Sequence, residues 1–293
     1  MFISHDFTLN NKSRGTVDRA IAIGSIRSAA DRRMAVQLVK DGFPVGLYVR
    51  GVAVIVVNGA RPGAADTINL VKGERRTGKP LATILPTETF VQMIDPKMIP
   101  SELRKIFLDP DELEARLGTL GSIRFPLRPS VAPTPPPTLA PRSEDGTHWL
   151  QSWVPDQTSA GGLLVKEFQQ QGVAFPGVSS MNTSGNPEIV DQDEARSFGV
   201  AHQLAYFLGD PQIAHSVRGS FPILQIGPRG VGVIRQGHFS AALFQRLLDG
   251  VRVDESQAIP AKYPLLPMDS LASITSPYQL HDRLVALLEG TAS

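Results

Sequence analysis

Not one of the 293 residues is a cysteine. That excludes disulfide staples, thiolate metal sites, iron–sulfur clusters and a cysteine nucleophile. No run reaches the ~18 apolar residues that a membrane span needs. The opening MFISHDFTLNNKSRGTVDRA carries acidic and amide residues where an export signal needs an apolar core. A cytoplasmic protein with no membrane partner is therefore expected. Charge of one sign is missing too: 29 basic side chains face 28 acidic ones, for a net +1. Without a global field, any site for a polyanion has to be a local cluster. His5, His148, His202, His215, His238 and His281 form no i, i+4 pair on a helix face, so no metal site is expected. There is no Gly-x-Ser-x-Gly nucleophile elbow and no internal repeat.

What is present reads as a folded α/β chain. SAADRRMAVQLVKDG predicts a helix capped by Ser28, with Met34, Leu38 and Val39 as its apolar stripe and Gly42 as its stop. FPVGLYV and VAVIVVNG are short β-branched runs, hence buried strands. PGAADTINLVKGERRTGK starts at Pro62 and runs to basic residues and Gly78, the correct polarity for a helix. PLATILP, SIRFPL and VAFPGVSS predict strands. TETFVQMI, SELRKIF, DPDELEARL, SAGGLLVKEFQQQG, DQDEARSFG, FSAALFQRLLDG and SPYQLHDRLVALLEG predict helices. FPILQIG and GVGVIRQG predict a hairpin around PRG. Alternating strands and helices with buried-type strands imply a twisted, mixed parallel and antiparallel open sheet with flanking helices. Between Arg128 and Pro141, six of fourteen residues are proline, which implies a stiff polyproline-like excursion. The expected organisation is a polar N-terminal arm over 1–30 with one short helix and a main domain over 31–250. That domain carries a Pro-rich insertion at about 128–147, and 251–293 form a C-terminal extension.

Two stretches carry chemistry. VKGERRTGKP places Lys72, Arg75, Arg76 and Lys79 within eight residues, between a helix and a strand, where open α/β sheets form ligand crevices. Arg forks and Lys point charges suit phosphate oxygens. A solvated helix terminus would look the same. VSSMNTSGNPE gathers Ser180, Asn182, Thr183 and Ser184 ahead of Gly185 and Pro187. This is turn chemistry that can also present N–H groups to an anion.

Read in order, KGERRTGKPLATIL, SIRFPLRP, SSMNTSGNPEIVDQDEA and SFPILQIGPRGVGVIRQG resemble the YrdC-like family of threonylcarbamoyl-adenylate synthases over about residues 31–250. Ser180, Asn182, Ser184 and Gly185 match its Ser-x-Asn-x-Ser-Gly turn, Arg124 and Pro126 its middle strand, and Arg235 and Gly237 its closing Arg-x-Gly. The resemblance implies that ATP, bicarbonate and an amine or amino acid meet on a concave, cationic sheet face. The amine is carboxylated to a carbamate, which attacks the α-phosphate and releases pyrophosphate, a step toward tRNA threonylcarbamoyladenosine. It assigns catalysis to Lys72, Arg75 and Ser180, and ATP binding to Lys79, Arg124, Ser180, Asn182, Ser220 and Arg235. Mg²⁺ would ride on the phosphates, with no dedicated protein cage. Three places depart from the family pattern. LYVRGVAVIVVNGARPG lacks the Pro-Thr-x-Thr-x-Tyr-Gly hydroxyls, with Arg50 and Val52 standing about where Thr residues would. Glu74 breaks the Lys-x-Arg spacing. Phe221-Pro222 follows Ser220 where Thr-Val is usual, and a Pro-Gly-Pro segment is missing. An apolar lining leaves a threonine hydroxyl or ammonium unpaired at about 1–3 kcal/mol each, which implies an acceptor other than, or besides, threonine. The alternative is a catalytically inactive module binding nucleotide or RNA on the same basic concave face.

Overall fold

The computed structural model describes residues 21–49, 51–73, 79–131, 135–183, 186–210, 219, 221–263 and 271–289. The strands are β1 (Ala22–Ser25), β2 (Val45–Val49), β3 (Val52–Asn58), β4 (Ala82–Ile84), β5 (Ser122–Pro126), β6 (Trp149–Trp153), β7 (Pro176–Ser180), β8 (Tyr206–Gly209), β9 (Ile223–Gly227), β10 (Gly230–Arg235) and β11 (Val253–Asp254). The helices are α1 (Ala29–Asp41), α2 (Ala64–Val71), α3 (Thr87–Met93), α4 (Arg104–Phe107), α5 (Pro110–Leu117), α6 (Ala160–Gln170), α7 (Gln192–Ala201), α8 (Ala241–Leu247) and α9 (Pro277–Glu289). All eleven described strands join one mixed sheet in the order β1-β8-β2-β3-β7-β4-β6-β5-β9-β10-β11. The expected mixed α/β sheet is what the chain forms.

Local chemistry sets the elements. Ser28 accepts from the Asp31 N–H at the start of α1, and Gly42 ends the helix at φ 98°, a left-handed conformation that costs glycine little. The buried face of α1 is Arg32, Ala35, Val36 and Val39, spaced i, i+3, i+4, i+7. Met34 falls off that face and is 54% exposed, so the expected apolar stripe is corrected. The buried Arg32 guanidinium donates from Nη1 to the Ile26 carbonyl at 2.7 Å. Helix α2 is shorter than expected. It ends at Val71 with Lys72 as its C-cap, and Gly73 follows at φ 65°. Arg75, Arg76 and Gly78 lie outside the described residues.

Within the stretch expected as an N-terminal arm, Ala22–Ser25 pairs in parallel with β8, and residues 1–20 lie outside the described residues. The Pro-rich segment docks: Leu81 N–H donates to the Thr138 carbonyl at 2.8 Å, and Leu139 and Ala140 are each 1% exposed. The C-terminal extension also folds back, since β11 pairs with β10 and α9 packs on α5 and α8. Arg116 of α5 fastens this corner, bonding Glu112 at 2.8 Å, Asp249 at 2.7 Å and the Tyr278 hydroxyl at 3.3 Å.

One face of the central strands is packed and the other partly open. On β5, Ile123 and Phe125 are buried while Ser122 and Arg124 are half-buried, and β6 and β9 alternate likewise, as the two-residue period of a strand requires. Thr119 holds the entry to β5. It sits at φ 72°, a costly conformation for a β-branched residue, and every polar group it has is used. Its N–H donates to the Val154 carbonyl at 2.7 Å, its carbonyl accepts from Trp153 Nε1 at 3.1 Å, and its hydroxyl oxygen accepts from the Asp156 N–H at 2.8 Å. Thr119→Val keeps the shape and orphans the Asp156 N–H. A loss of about 1–2 kcal/mol in urea denaturation is expected, against less than about 0.5 kcal/mol for exposed Lys166→Ala.

Candidate active site

Register alone assembles a site on the open face. Residues directly opposite in paired strands share a face. Val49 faces Val52, Leu47 faces Val54, and Val54 faces Ser180. Val178 then faces Ala82, Ile84 faces Trp153, Trp153 faces Ser122, Ser122 faces Ile223, and Ile223 faces Arg235. All these residues line a single hollow of about 920 Å³ including its open mouth, together with Lys79, Gln151, Glu188 and Phe221. The wall is apolar on the β2–β3 side and aromatic on the other, where Trp153 stacks on Phe221 at 5.6 Å and Phe221 meets His238 edge-on at 5.8 Å.

Asn182 is the hub of the turn after β7. Its Oδ1 accepts from Ser180 Oγ at 2.7 Å and from Lys72 Nζ at 3.2 Å, and its Nδ2 donates to the Asn186 carbonyl at 2.7 Å. Lys72 and Asn182 are 4% and 8% exposed, and neither lines the hollow. The expected catalytic lysine therefore stands behind Ser180 as a brace for the turn. Arg124 shares the open face, opposite Gln151, but lies beside the hollow with its guanidinium 5.5 Å from the Trp149 ring centroid. Burial pushes its pKa down. Lys79, Ser180 and Arg235 are the three expected residues that meet in the hollow. Arg75 and Ser220 lie outside the described residues, as do Ser184 and Gly185.

Arg235 is not an unopposed cation. Its Nη1 lies 3.3 Å from Glu188 Oε1, and its Nη2 donates to the Phe221 carbonyl at 3.0 Å. Burial lowers its pKa, and the Glu188 charge opposes that shift. Glu188, 5% exposed, is a residue of the hollow that sequence reasoning missed. It stands three residues past Gly185 of the turn, but its partner is 47 residues away, a pairing that no local pattern signals. The tail reinforces this segment. Tyr263 donates its hydroxyl to the Glu188 carbonyl at 2.6 Å, and Lys262 Nζ donates to the Asn186 carbonyl at 3.0 Å. Among the described residues, no three His, Asp or Glu side chains are grouped to hold a metal ion, and no helix is long and apolar enough to cross a membrane.

No protein-family model matches the sequence, and no curated protein does. Solved structures share its architecture. A crystal structure of P. abyssi Sua5 complexed with L-threonine aligns at TM-score 0.56 and 16% identity, over 80% of this chain and 64% of its own. The fold is Sua5/YrdC-like. E. coli YciO aligns at TM-score 0.53 and 10% identity over 74% of this chain and 93% of its own. Full-length HypF in its phosphate- and nucleotide-bound form aligns at TM-score 0.50 and 19% identity over 71% and 29%. The chain spans a little over three fifths of the length of the Sua5 structures that it matches, 62% and 64%.

The aromatic wall of this Sua5/YrdC-like sheet makes stability depend on pH. His238 is 2% exposed with Nε2 unpartnered, and burial pushes its pKa from 6.5 down to about 4. Between those values the unfolded chain binds a proton that the folded chain refuses, so this contribution is complete above pH 6.5 and is lost as pH falls toward 4. The loss is on the order of 3 kcal/mol. Urea midpoints measured from pH 7 to 4 should fall more steeply for the native chain than for His238→Leu.

Proposed function

We propose that the chain forms a carbamoyl-adenylate in this hollow from ATP, bicarbonate and an amine or amino acid. The observation that carries the reading is the meeting of Lys79, Ser180 and Arg235, from three distant segments, in one hollow on the open face. The fold supports it, because P. abyssi Sua5 was crystallised with L-threonine and HypF with phosphate and nucleotide.

The chemistry asks for positioning and charge compensation more than for covalent catalysis. Bicarbonate and the amine give a carbamate and water. The carbamate oxygen attacks the α-phosphorus, and the bond to the β-phosphate oxygen breaks, releasing pyrophosphate. Two anions must approach each other, so cations fixed beforehand lower the barrier. Lys79 supplies a charge at the wall. The Ser180 hydroxyl has one proton, which it gives to Asn182 Oδ1 at 2.7 Å. To reach a phosphate oxygen it turns away, and Lys72 keeps the Asn182 acceptor filled. Mg²⁺ carried on the phosphates would screen their charge.

A second reading is a nucleotide-binding module without turnover. It is favoured by the offset of Arg235 by Glu188 and by the withdrawal of Lys72 behind the turn. Pyrophosphate release separates the two. Release that needs both bicarbonate and an amine is expected, falling about tenfold in Ser180→Ala and about 10²-fold or more in Lys79→Ala. ATP binding with no release across a panel of amines and amino acids would establish the module instead.

A further inference from the structure

The Glu188–Arg235 pair leaves two groups unfilled. Glu188 Oε2 and Arg235 Nε are both buried without a hydrogen-bond partner, although the opposite atoms of the same side chains meet at 3.3 Å. Both residues line the hollow. Native structures rarely leave a buried acceptor or a buried donor empty, and each empty group is a standing cost that a ligand could remove. The nearby wall is apolar. Leu47, Val49, Val52 and Val54 face one another across the β2–β3 hairpin. That hairpin is tied to the Glu188 segment by the Ala53 N–H on the Ile189 carbonyl at 3.0 Å and by the Tyr48 hydroxyl on the Val190 carbonyl at 2.9 Å.

The geometry points to an apolar α-amino acid as the acceptor. Once the two side chains turn toward the hollow, its ammonium would fill Glu188 Oε2, its carboxylate would take the Arg235 Nε–H, and its aliphatic side chain would lie on the β2–β3 valines. A simple amine satisfies only the carboxylate, and a simple acid only the guanidinium. A zwitterion satisfies both while leaving the pair neutral. Threonine meets the same charges but sets its hydroxyl against a wall of aliphatic side chains. This assignment rests on the reading of the hollow as the site of carbamoyl-adenylate formation, and it moves Arg235 from the phosphates to the acceptor.

Valine, threonine and isobutylamine separate the terms, because threonine replaces one valine methyl by a hydroxyl and isobutylamine is valine without its carboxylate. Calorimetry on the full chain, with and without ATP, should find valine bound about ten- to a hundredfold tighter than threonine and at least about tenfold tighter than isobutylamine. Glu188→Gln should weaken valine by about tenfold or more. If that variant does not fold, Val54→Thr decides, by narrowing the preference for valine over threonine. The inference is overturned if threonine or isobutylamine equals valine, if valine fails to bind with and without ATP, or if folded Glu188→Gln binds valine unchanged. Pyrophosphate release with bicarbonate and threonine but not valine would overturn this acceptor and keep the carbamoyl-adenylate reading. Valine binding in the expected order with no release from any amine would keep the subsite and overturn that reading.

Discussion

The ion pair between Glu188 and Arg235 closes the open face into a container. In sheet order β10 stands six places from β3, which in a flat sheet is about 29 Å at ~4.8 Å per strand. Yet the segment hydrogen-bonded to β3 at Ala53 also reaches Arg235 of β10 through the one side chain of Glu188. Only a strongly curved sheet allows this, and right-handed twist and the register break between Val233 and Arg235 supply the bend. Without that closure the half-buried residues would be a broad, shallow surface. With it they line a hollow with an aliphatic side, an aromatic side and a mixed polar rim.

A pair of this kind, with Glu188 buried and Arg235 half-buried, is weak evidence for stability, because desolvation offsets much of the attraction. Its value lies in fixing geometry. Three independent contacts hold the same short segment: Tyr263 on the Glu188 carbonyl, Lys262 on the Asn186 carbonyl, and Asn182 on that carbonyl as well. Lys72 and Ser180 in turn hold Asn182. The polar residues around the turn therefore act as scaffold for the wall, and the atoms facing a ligand are fewer than a list of cations would give.

Much of this was legible in the chain. The β-branched runs of β2 and β3, the Ser28 and Gly42 caps of α1, and the β9–β10 hairpin follow from local pattern, because local sterics and burial decide them. Strands β1, β6 and β8 did not stand out. Trp149–Trp153 reads Trp-Leu-Gln-Ser-Trp, with no clean two-residue alternation, after a Pro-rich stretch, and its strand character comes from pairing with β4 and β5. The site divided along the same line. Ser180, Lys79 and Arg235 carry motif-like signals and do share the hollow. The roles of Lys72 and Arg235 depend on Asn182 and Glu188, partners set by topology and invisible to spacing. Glu188 looked like one more turn residue until the fold brought Arg235 beside it.

The most direct test is a crystal structure of the chain with a non-hydrolysable ATP analogue. The account predicts a triphosphate in the hollow against Lys79 and Ser180, with Glu188 and Arg235 still paired on the opposite wall. A nucleotide seated elsewhere, such as in the groove between α3 and α6 lined by Thr89, Gln92 and Gln169, with the hollow empty at saturating analogue, would contradict it.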